Sequence, residues 1–185
     1  MKGSGFDIPA DGHLSVMCSG GMDSSLIALY LALKVPERKP AAVSFGNVKT
    51  KEPIERIFEW IRERTGYQYR IIYFREKNFI RPTVEKILGV RPGYVFTGCN
   101  LVIPDQFHPT VYIPGDTPPV RGPALNAFHL RPFIEWTKKD IVSMYRHLDA
   151  MDLIPLTRSC GESFNHWSDV CGGCYFCLER AWGLS

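Results

Sequence analysis

A chain of 185 residues is long enough for one compact domain with its own core, and we do not expect a second full domain. Hydrophobic residues make up 45% and charged residues 22% of the sequence, proportions that exclude a disordered chain. The net charge of +3 suits a small anionic ligand but falls short of the clustered basic face of a dedicated nucleic-acid binder, so we do not expect nucleic acid as a partner.

The N-terminal part of the chain alternates predicted strands with predicted helices. Apolar runs predict the strands, and one apolar stripe at helical spacing, Ile54, Ile57, Phe58 and Ile61, predicts the second helix. In chain order we predict strand 13–18, helix 23–34, strand 41–45, helix 53–64 and strand 69–74. This alternation is typical of an α/β protein whose parallel sheet carries helices on both faces. Ligands of such sheets bind beyond the C-terminal ends of the strands.

The second half of the chain is less regular. Residues 78–88 fit a helix, 94–96 fit a strand or loop, and 111–113 fit a fourth strand. Dense prolines and glycines over 104–123 predict an irregular connection. Thr137 is a candidate N-cap for a helix with one apolar face, and after Pro155 the chain becomes rich in cysteines and turn residues to its end.

Targeting and membrane segments are not expected. No run of about 18 apolar residues occurs, and residues 1–5 do not lead into the apolar core of a signal peptide. We therefore expect no membrane partner and a protein that works in the reducing cytoplasm. In that compartment the six cysteines are metal ligands or free thiols rather than disulfides.

A loop rich in serine and glycine, Ser19–Ser25, joins the first predicted strand to the first predicted helix. A helix N-terminus offers unpaired N–H groups and the positive end of its dipole, and glycines let the backbone approach an anion closely. Asp23 would cap the helix or help to hold Mg²⁺ between phosphates. No lysine follows the glycines, so this is not the loop that ends in Gly-Lys-Ser/Thr. The alternative to a phosphate site is an ordinary turn with an aspartate cap.

Three cysteines near the end of the chain are spaced at C-x₂-C-x₂-C, and a fourth lies upstream; together they are Cys160, Cys171, Cys174 and Cys177. Four converging thiolates suit a closed, structural Zn²⁺ site, and an iron–sulfur cluster is the competing interpretation. His166, between Cys160 and Cys171, competes for the place of fourth ligand. Cys18 is expected to pack in the core. On this basis we divide the chain into a main domain, 1–155, and a zinc-binding segment packed on it, 156–185.

The run Ser19-Gly20-Gly21-Met22-Asp23-Ser24 resembles the Ser-Gly-Gly-x-Asp-Ser motif of the ATP-pyrophosphatase (PP-loop) superfamily. The resemblance implies an adenine-nucleotide α-hydrolase-like fold that binds ATP with Mg²⁺ and releases pyrophosphate. It implies catalytic roles for Ser19, Asp23 and Ser24. The residues expected to bind the nucleotide are Ser19, Gly20, Gly21, Met22, Asp23, Ser24, Ser25, Ser44 and Phe45, the last two beside the adenine or ribose.

Further segments resemble the 7-cyano-7-deazaguanine synthase family within that superfamily, namely 96–101, 131–142, 155–160 and 171–180. This resemblance implies that the chain adenylates 7-carboxy-7-deazaguanine and that ammonia then attacks, giving first an amide and then a nitrile. The expected partners are a small deazaguanine-type base and ammonia, and a homodimer is compatible with the sequence. Further candidates for contact with substrate or phosphate are Asn100, Asp116, Arg121 and Arg158, whereas Arg180 is expected to be structural.

Two other interpretations remain open at the level of sequence. One is a PP-loop enzyme with a different acceptor, such as an RNA-thiolating enzyme that uses Cys99 as a persulfide nucleophile. The other is a non-catalytic module that binds nucleotide and zinc.

Overall fold

The computed structural model describes residues 4–45, 48–74, 93–98, 100, 129–160 and 171–185. Within these ranges, no helix is both long and apolar enough to cross a membrane. The predicted helix 78–88 and the predicted strand 111–113 lie outside the described residues. Four singled-out side chains also lie outside them, Cys99, Asp116, Arg121 and His166.

Five strands form one sheet in the described part of the chain. They are β1 Leu14–Met17, β2 Ala41–Phe45, β3 Arg70–Phe74, β4 Tyr94–Thr97 and β5 His129–Leu130. All neighbours run parallel, in the order β3-β2-β1-β4-β5. The sheet confirms the predicted α/β class with a parallel sheet. β5 was not predicted, because a strand of two residues leaves no periodic pattern.

Four helices accompany the sheet within the described ranges, with short 3₁₀ turns at Pro36–Arg38 and Met151–Leu156. They are α1 Met22–Lys34, α2 Val48–Thr65, α3 Lys138–His147 and α4 Tyr175–Leu184. The predicted start of α2 was wrong, because Pro53 lies inside the helix rather than in its first turn. A proline there removes one backbone hydrogen bond, which the helix tolerates. Helix α4 was not predicted, because its segment is rich in cysteines and turn residues.

The central helix α1 is buried along most of its length, from Met22 to Ala32. Two tyrosines from other elements fix it in place through its backbone. Tyr145 of α3 donates a hydrogen bond to the Met22 carbonyl at 2.7 Å, and Tyr69 donates to the Ala28 carbonyl at 2.6 Å. Because both hydroxyls satisfy buried carbonyls, α1 is held at its start and its middle.

Helix α3 begins as predicted, with Thr137 at its N-cap. The Asp140 N–H donates to Thr137 Oγ1 at 3.2 Å, and the Thr137 N–H donates to Asp140 Oδ2 at 2.8 Å. This reciprocal pair is a capping box, which satisfies two backbone donors at once. It fixes the position of the next residue, Lys138, at the first position of the helix.

Strand order places the loop after β1 at a particular point of the sheet. The chain runs from β1 to β2 and β3 on one side and returns to β4 and β5 on the other. The direction of winding therefore reverses between β1 and β4. In open parallel sheets such a reversal leaves a crevice beyond the C-terminal strand ends.

Candidate functional site

The loop Ser19–Ser25 lies at this reversal, between the end of β1 and the start of α1. Its path is fixed by the Cys18 N–H, which donates to the Val43 carbonyl at 2.8 Å, and by Gly20, which has a φ of 79°. That left-handed conformation favours glycine. Gly21 occupies the N-cap position, and no side chain in the described part of the chain caps the helix. The prediction that Asp23 caps α1 was therefore wrong.

A serine network holds the loop in shape. Ser24 Oγ lies 3.3 Å from both the backbone nitrogen and the hydroxyl of Ser19, and it donates to the Gly21 carbonyl at 3.2 Å. Ser25 Oγ donates to the same carbonyl at 2.8 Å. Ser24 and Ser25 are buried, whereas Ser19 is exposed. Ser19 is thus placed to meet a ligand, and the two buried serines support the backbone.

The side chain of Met22 is fully buried in the core. A nucleotide contact at this position would therefore come from its backbone N–H at the start of α1. The predicted binding residues of the loop therefore differ in what they can offer a ligand. Met22 can offer only its backbone N–H, Ser19 offers an exposed side chain, and the buried Ser24 and Ser25 support the backbone.

Asp23 forms a buried ion pair with Lys138. Lys138 Nζ lies 2.6 Å and 2.8 Å from the two carboxylate oxygens of Asp23, and 3.4 Å from Glu179 Oε2. The Asn100 side-chain nitrogen donates to Glu179 Oε1 at 2.6 Å. Four segments of the chain therefore meet at one polar cluster beside the loop: α1, residue 100, α3 and α4.

The ionisation of this cluster follows from burial and from the opposed charges. Burial alone would lower the pKa of Lys138, but the Asp23 and Glu179 carboxylates outweigh it and raise this pKa. Burial raises the pKa of Glu179, against the opposing effect of Lys138. Lys138 therefore stays charged and neutralises one carboxylate beside the loop.

Sequence reasoning missed Lys138 and Glu179 as site residues. A lysine at the first position of a helix is repelled by the positive end of the helix dipole. This unfavourable placement was a signal, available from the sequence, that Lys138 interacts with an acidic partner elsewhere. Glu179 carried no such signal, because it lies on the helix that was not predicted. Asp23 and Lys138 are separated by 115 positions in the sequence, so no local pattern indicates their contact.

The segment after the second 3₁₀ turn lies directly against the loop. The Arg158 N–H donates to the Gly20 carbonyl at 2.8 Å, and a Cβ added to Gly21 would lie 3.3 Å from the Arg158 carbonyl oxygen. Arg158 Nε is buried and has no hydrogen-bond partner among the described residues. An unpaired guanidinium nitrogen on this segment is one that an anionic ligand could satisfy.

Arg180 of α4 fixes this segment in turn. Its guanidinium donates to the Thr157 carbonyl at 3.2 Å, to Thr157 Oγ1 at 2.8 Å and to the Ile154 carbonyl at 2.7 Å. These contacts agree with the structural role expected of Arg180.

The end of β2 carries a second unpaired polar atom. Ser44 is fully buried, and its hydroxyl has no hydrogen-bond partner among the described residues. Tyr73, which pairs with Ser44 in the register of β2 and β3, also has a buried hydroxyl with no hydrogen-bond partner among the described residues. Buried hydroxyls are normally paired, so this strand end has donors to offer a ligand. The side chain of Phe45 lies outside the described residues.

Four cysteine sulfurs converge at the far end of the chain, those of Cys160, Cys171, Cys174 and Cys177. All four lie within 4.8 Å of one another, and three of the sulfur–sulfur distances are 3.6, 3.9 and 3.9 Å. With a Zn–S bond of about 2.3 Å, a tetrahedral ion sets its sulfurs about 3.8 Å apart. The four predicted ligands therefore form a group that can hold one metal ion such as zinc.

The local structure around these cysteines favours their thiolate form, which is the form that binds a metal cation. Cys174 occupies the N-cap position of α4 and Cys177 lies in its first turn, where the helix dipole stabilises thiolates. Backbone N–H groups point at two of the sulfurs, from Cys171 to Cys160 Sγ at 3.5 Å and from Cys174 to Cys171 Sγ at 3.3 Å. Without a metal, burial raises the pKa of Cys177. Cys18 lies apart from this group, buried in the core as expected.

Comparison of the chain with protein-family models and with curated proteins finds no match in either set. The structure itself shows an α/β fold with a parallel sheet and a serine–glycine loop at the point where the winding of the sheet reverses. It also shows a four-cysteine group able to bind a metal ion.

Proposed function

We propose that the chain binds ATP at the Ser19–Ser25 loop and cleaves it between the α- and β-phosphates, as an adenylating enzyme of the PP-loop superfamily with an adenine-nucleotide α-hydrolase-like fold. One observation carries the proposal. The loop lies at the winding reversal of a parallel sheet and leads into α1, whose N-terminus no side chain caps. Such a terminus offers backbone donors and a positive dipole to phosphate oxygens.

The charges around the loop support an anionic ligand. A carboxylate beside phosphates would repel them, and Lys138 supplies the cation that neutralises Asp23. The unpaired Nε of Arg158 and the hydroxyl of the exposed Ser19 would add further donors for such a ligand. These groups would hold the pyrophosphate portion of ATP, and Mg²⁺ would supply further charge neutralisation there.

The end of β2 supports a site for the nucleoside. The unpaired, buried Ser44 hydroxyl adjoins the loop strand, because Val43 pairs with Met17 of β1. A ribose hydroxyl or an adenine nitrogen bound there would satisfy it. In the proposed complex, the nucleoside lies beside β2 and the phosphates lie at the start of α1.

The proposed reaction adenylates a carboxylate. A carboxylate oxygen attacks the α-phosphorus, the bond to the β-phosphate oxygen breaks, and pyrophosphate leaves. Ammonia then attacks the acyl carbon, AMP leaves and a proton is lost, which gives an amide. A second ATP adenylates the amide oxygen with release of pyrophosphate, and loss of AMP and of both amide protons forms the nitrile. The loop contributes positioning and stabilisation of the charge that moves to the leaving pyrophosphate.

The proposed acceptor is 7-carboxy-7-deazaguanine, with 7-cyano-7-deazaguanine as product. It rests on the combination of the serine–glycine loop with the four-cysteine group, two of the features by which the sequence resembles that synthase family. The ion proposed for the cysteines is Zn²⁺, in a closed site that stabilises the fold and takes no part in the chemistry. An iron–sulfur cluster fits less well, because its thiolates bind different irons and lie farther apart.

The test is to incubate the purified protein with ATP, Mg²⁺, ammonium and 7-carboxy-7-deazaguanine, and to follow AMP and the base by mass spectrometry. We expect the nitrile and AMP to appear together. Ser19→Ala should lower the rate, because Ser19 offers an exposed hydroxyl at the loop. Ser143→Ala is the matched control, since Ser143 is exposed on α3 away from the cluster.

Other outcomes separate the alternatives. ATP binding without turnover of this base would refute the proposed acceptor and favour another one, such as an RNA that the enzyme thiolates. ATP binding without AMP formation from any acceptor would favour a non-catalytic module. No ATP binding at all would refute the proposal.

A further inference from the structure

We propose that α4 is a clamp through which the four-cysteine metal site sets the geometry of the phosphate loop, so that metal loading tightens nucleotide binding. Lys138 and Arg180 are the positioning residues of this clamp. The inference rests on the proposed function in one respect, that the ligand of the loop is a nucleotide.

The first connection runs through Lys138. Glu179 of α4 lies 3.4 Å from Lys138 Nζ, which in turn bonds both carboxylate oxygens of Asp23 in the first turn of α1. Gly183, one turn further along α4, packs on the same side chain. A Cβ added to Gly183 would lie 2.5 Å from Lys138 Cγ, so no larger residue fits there without moving α4 or the lysine. The position of α4 therefore determines where Lys138 and Asp23 can lie.

The second connection runs through Arg180, the neighbour of Glu179 on α4. Its three hydrogen bonds to Ile154 and Thr157 hold the segment whose next N–H, that of Arg158, donates to the Gly20 carbonyl. The loop is thus held at Gly20 from one side and at Asp23 from the other. Both contacts depend on one helix of ten residues.

The cysteine group fixes the start of that helix. Cys174 occupies the N-cap position of α4. Cys177 lies in the first turn of this helix, two residues before Glu179 and three before Arg180. Cys160 lies two residues after Arg158. A metal bound by all four thiolates would therefore join the end of the loop-contacting segment to the start of α4. Linkage then requires nucleotide and metal to strengthen each other's binding by the same factor.

The experiment measures how tightly the chain binds an ATP analogue in the presence of Mg²⁺. The analogue carries a methylene bridge between its α- and β-phosphates, so it cannot be cleaved there. Calorimetry compares the zinc-loaded chain with the same chain treated with chelator. We expect the metal-free chain to bind the analogue about tenfold more weakly, a coupling of the usual size. In the reverse direction, competition with a chromophoric chelator should show that the analogue tightens zinc binding by the same factor.

A variant that keeps all ligands and all polar groups separates the clamp from loss of folding. Gly183→Ala, with zinc bound and native circular dichroism, should weaken analogue binding about tenfold and reduce the coupling. Lys34→Met is the control, since Lys34 is exposed at the end of α1 far from the loop, and it should leave both affinities unchanged.

Two results would overturn the inference. Equal analogue affinity in zinc-loaded and folded zinc-free chain shows that no coupling exists. Wild-type analogue affinity in zinc-loaded Gly183→Ala shows that the position of α4 does not determine the geometry of the loop. If the zinc-free chain unfolds, this second result is the deciding one. Absence of analogue binding to the zinc-loaded wild type would instead refute the proposed function itself.

Discussion

Lys138 Nζ contacts both carboxylate oxygens of Asp23, at 2.6 Å and 2.8 Å, and so joins the first turns of α1 and α3 through one buried ammonium group. The lysine side chain is 4% exposed and the aspartate side chain 13%. A buried ion pair that Glu179 also contacts is sensitive to removal of its cation, because two carboxylates then lose their compensating charge.

Replacing Lys138 with methionine should lower the free energy of unfolding by about 3 to 5 kcal/mol, because the substitution leaves buried carboxylates without a cation. Urea denaturation measures this change. The control Lys34→Met removes an exposed lysine of α1 and should stay within about 0.5 kcal/mol of the wild type. A loss for Lys138→Met no larger than that of the control would show that the ion pair contributes nothing to stability.

Metal analysis of the purified protein should find about one zinc ion per chain, because the four sulfurs are placed for one tetrahedral ion. Cys174→Ser should lose the metal and unfold at a lower temperature, since binding energy at such sites is folding energy. Cys18→Ala removes a cysteine outside the group and should keep the zinc content. Iron and sulfide with visible absorption after anaerobic purification would show a cluster instead.

Gly98 lies where the end of β4 meets the first turn of α1, and Gly98→Ala should disturb the loop. The added Cβ would lie 2.6 Å from the backbone nitrogen of Ser24 and 2.8 Å from Asp23 Cβ. We expect a stability loss of about 1 to 3 kcal/mol from overpacking, together with weaker ATP binding.

Gly173→Ala is the matched control for this change, because no atom of the described residues lies within 4 Å of its added Cβ. Both variants are compared by urea denaturation and by ATP titration. Equal behaviour of the two variants would show that the contact of β4 with α1 is not tight.

Stability should fall as the pH is lowered below the ordinary histidine pKa of 6.5, because burial, and secondarily Arg131, lower the pKa of His129 in the folded chain. Between its lowered value and 6.5 the unfolded state binds more protons than the folded state, so stability is full above this window and is lost as the pH falls through it. Urea midpoints at about pH 7.5 and about pH 5.5 measure the slope. His129→Gln should flatten it, and an unchanged slope in that variant would assign the effect to other groups.

Local sequence patterns were sufficient for several parts of the structure. The apolar runs predicted β1, β2 and β3, and Thr137 predicted the start of α3. Cysteine spacing identified the four sulfurs that converge, because three ligands within seven residues need only a short turn to meet. The start of α2 was predicted wrongly, because Pro53 resembled a helix boundary. Helix α4 was missed, because the closely spaced cysteines resembled a region of turns.

The sequence by itself determined the α/β class, the serine–glycine loop before α1 and the identity of the cysteine group, because each depends on residues close together in the chain. Only the tertiary structure decided what Asp23 does. Its partner Lys138, and Glu179 and Asn100 beyond it, come from segments that strand order and helix packing bring together. Contacts between such distant residues leave no periodic signal, since the physical interaction depends on distance in space and not on spacing in the chain.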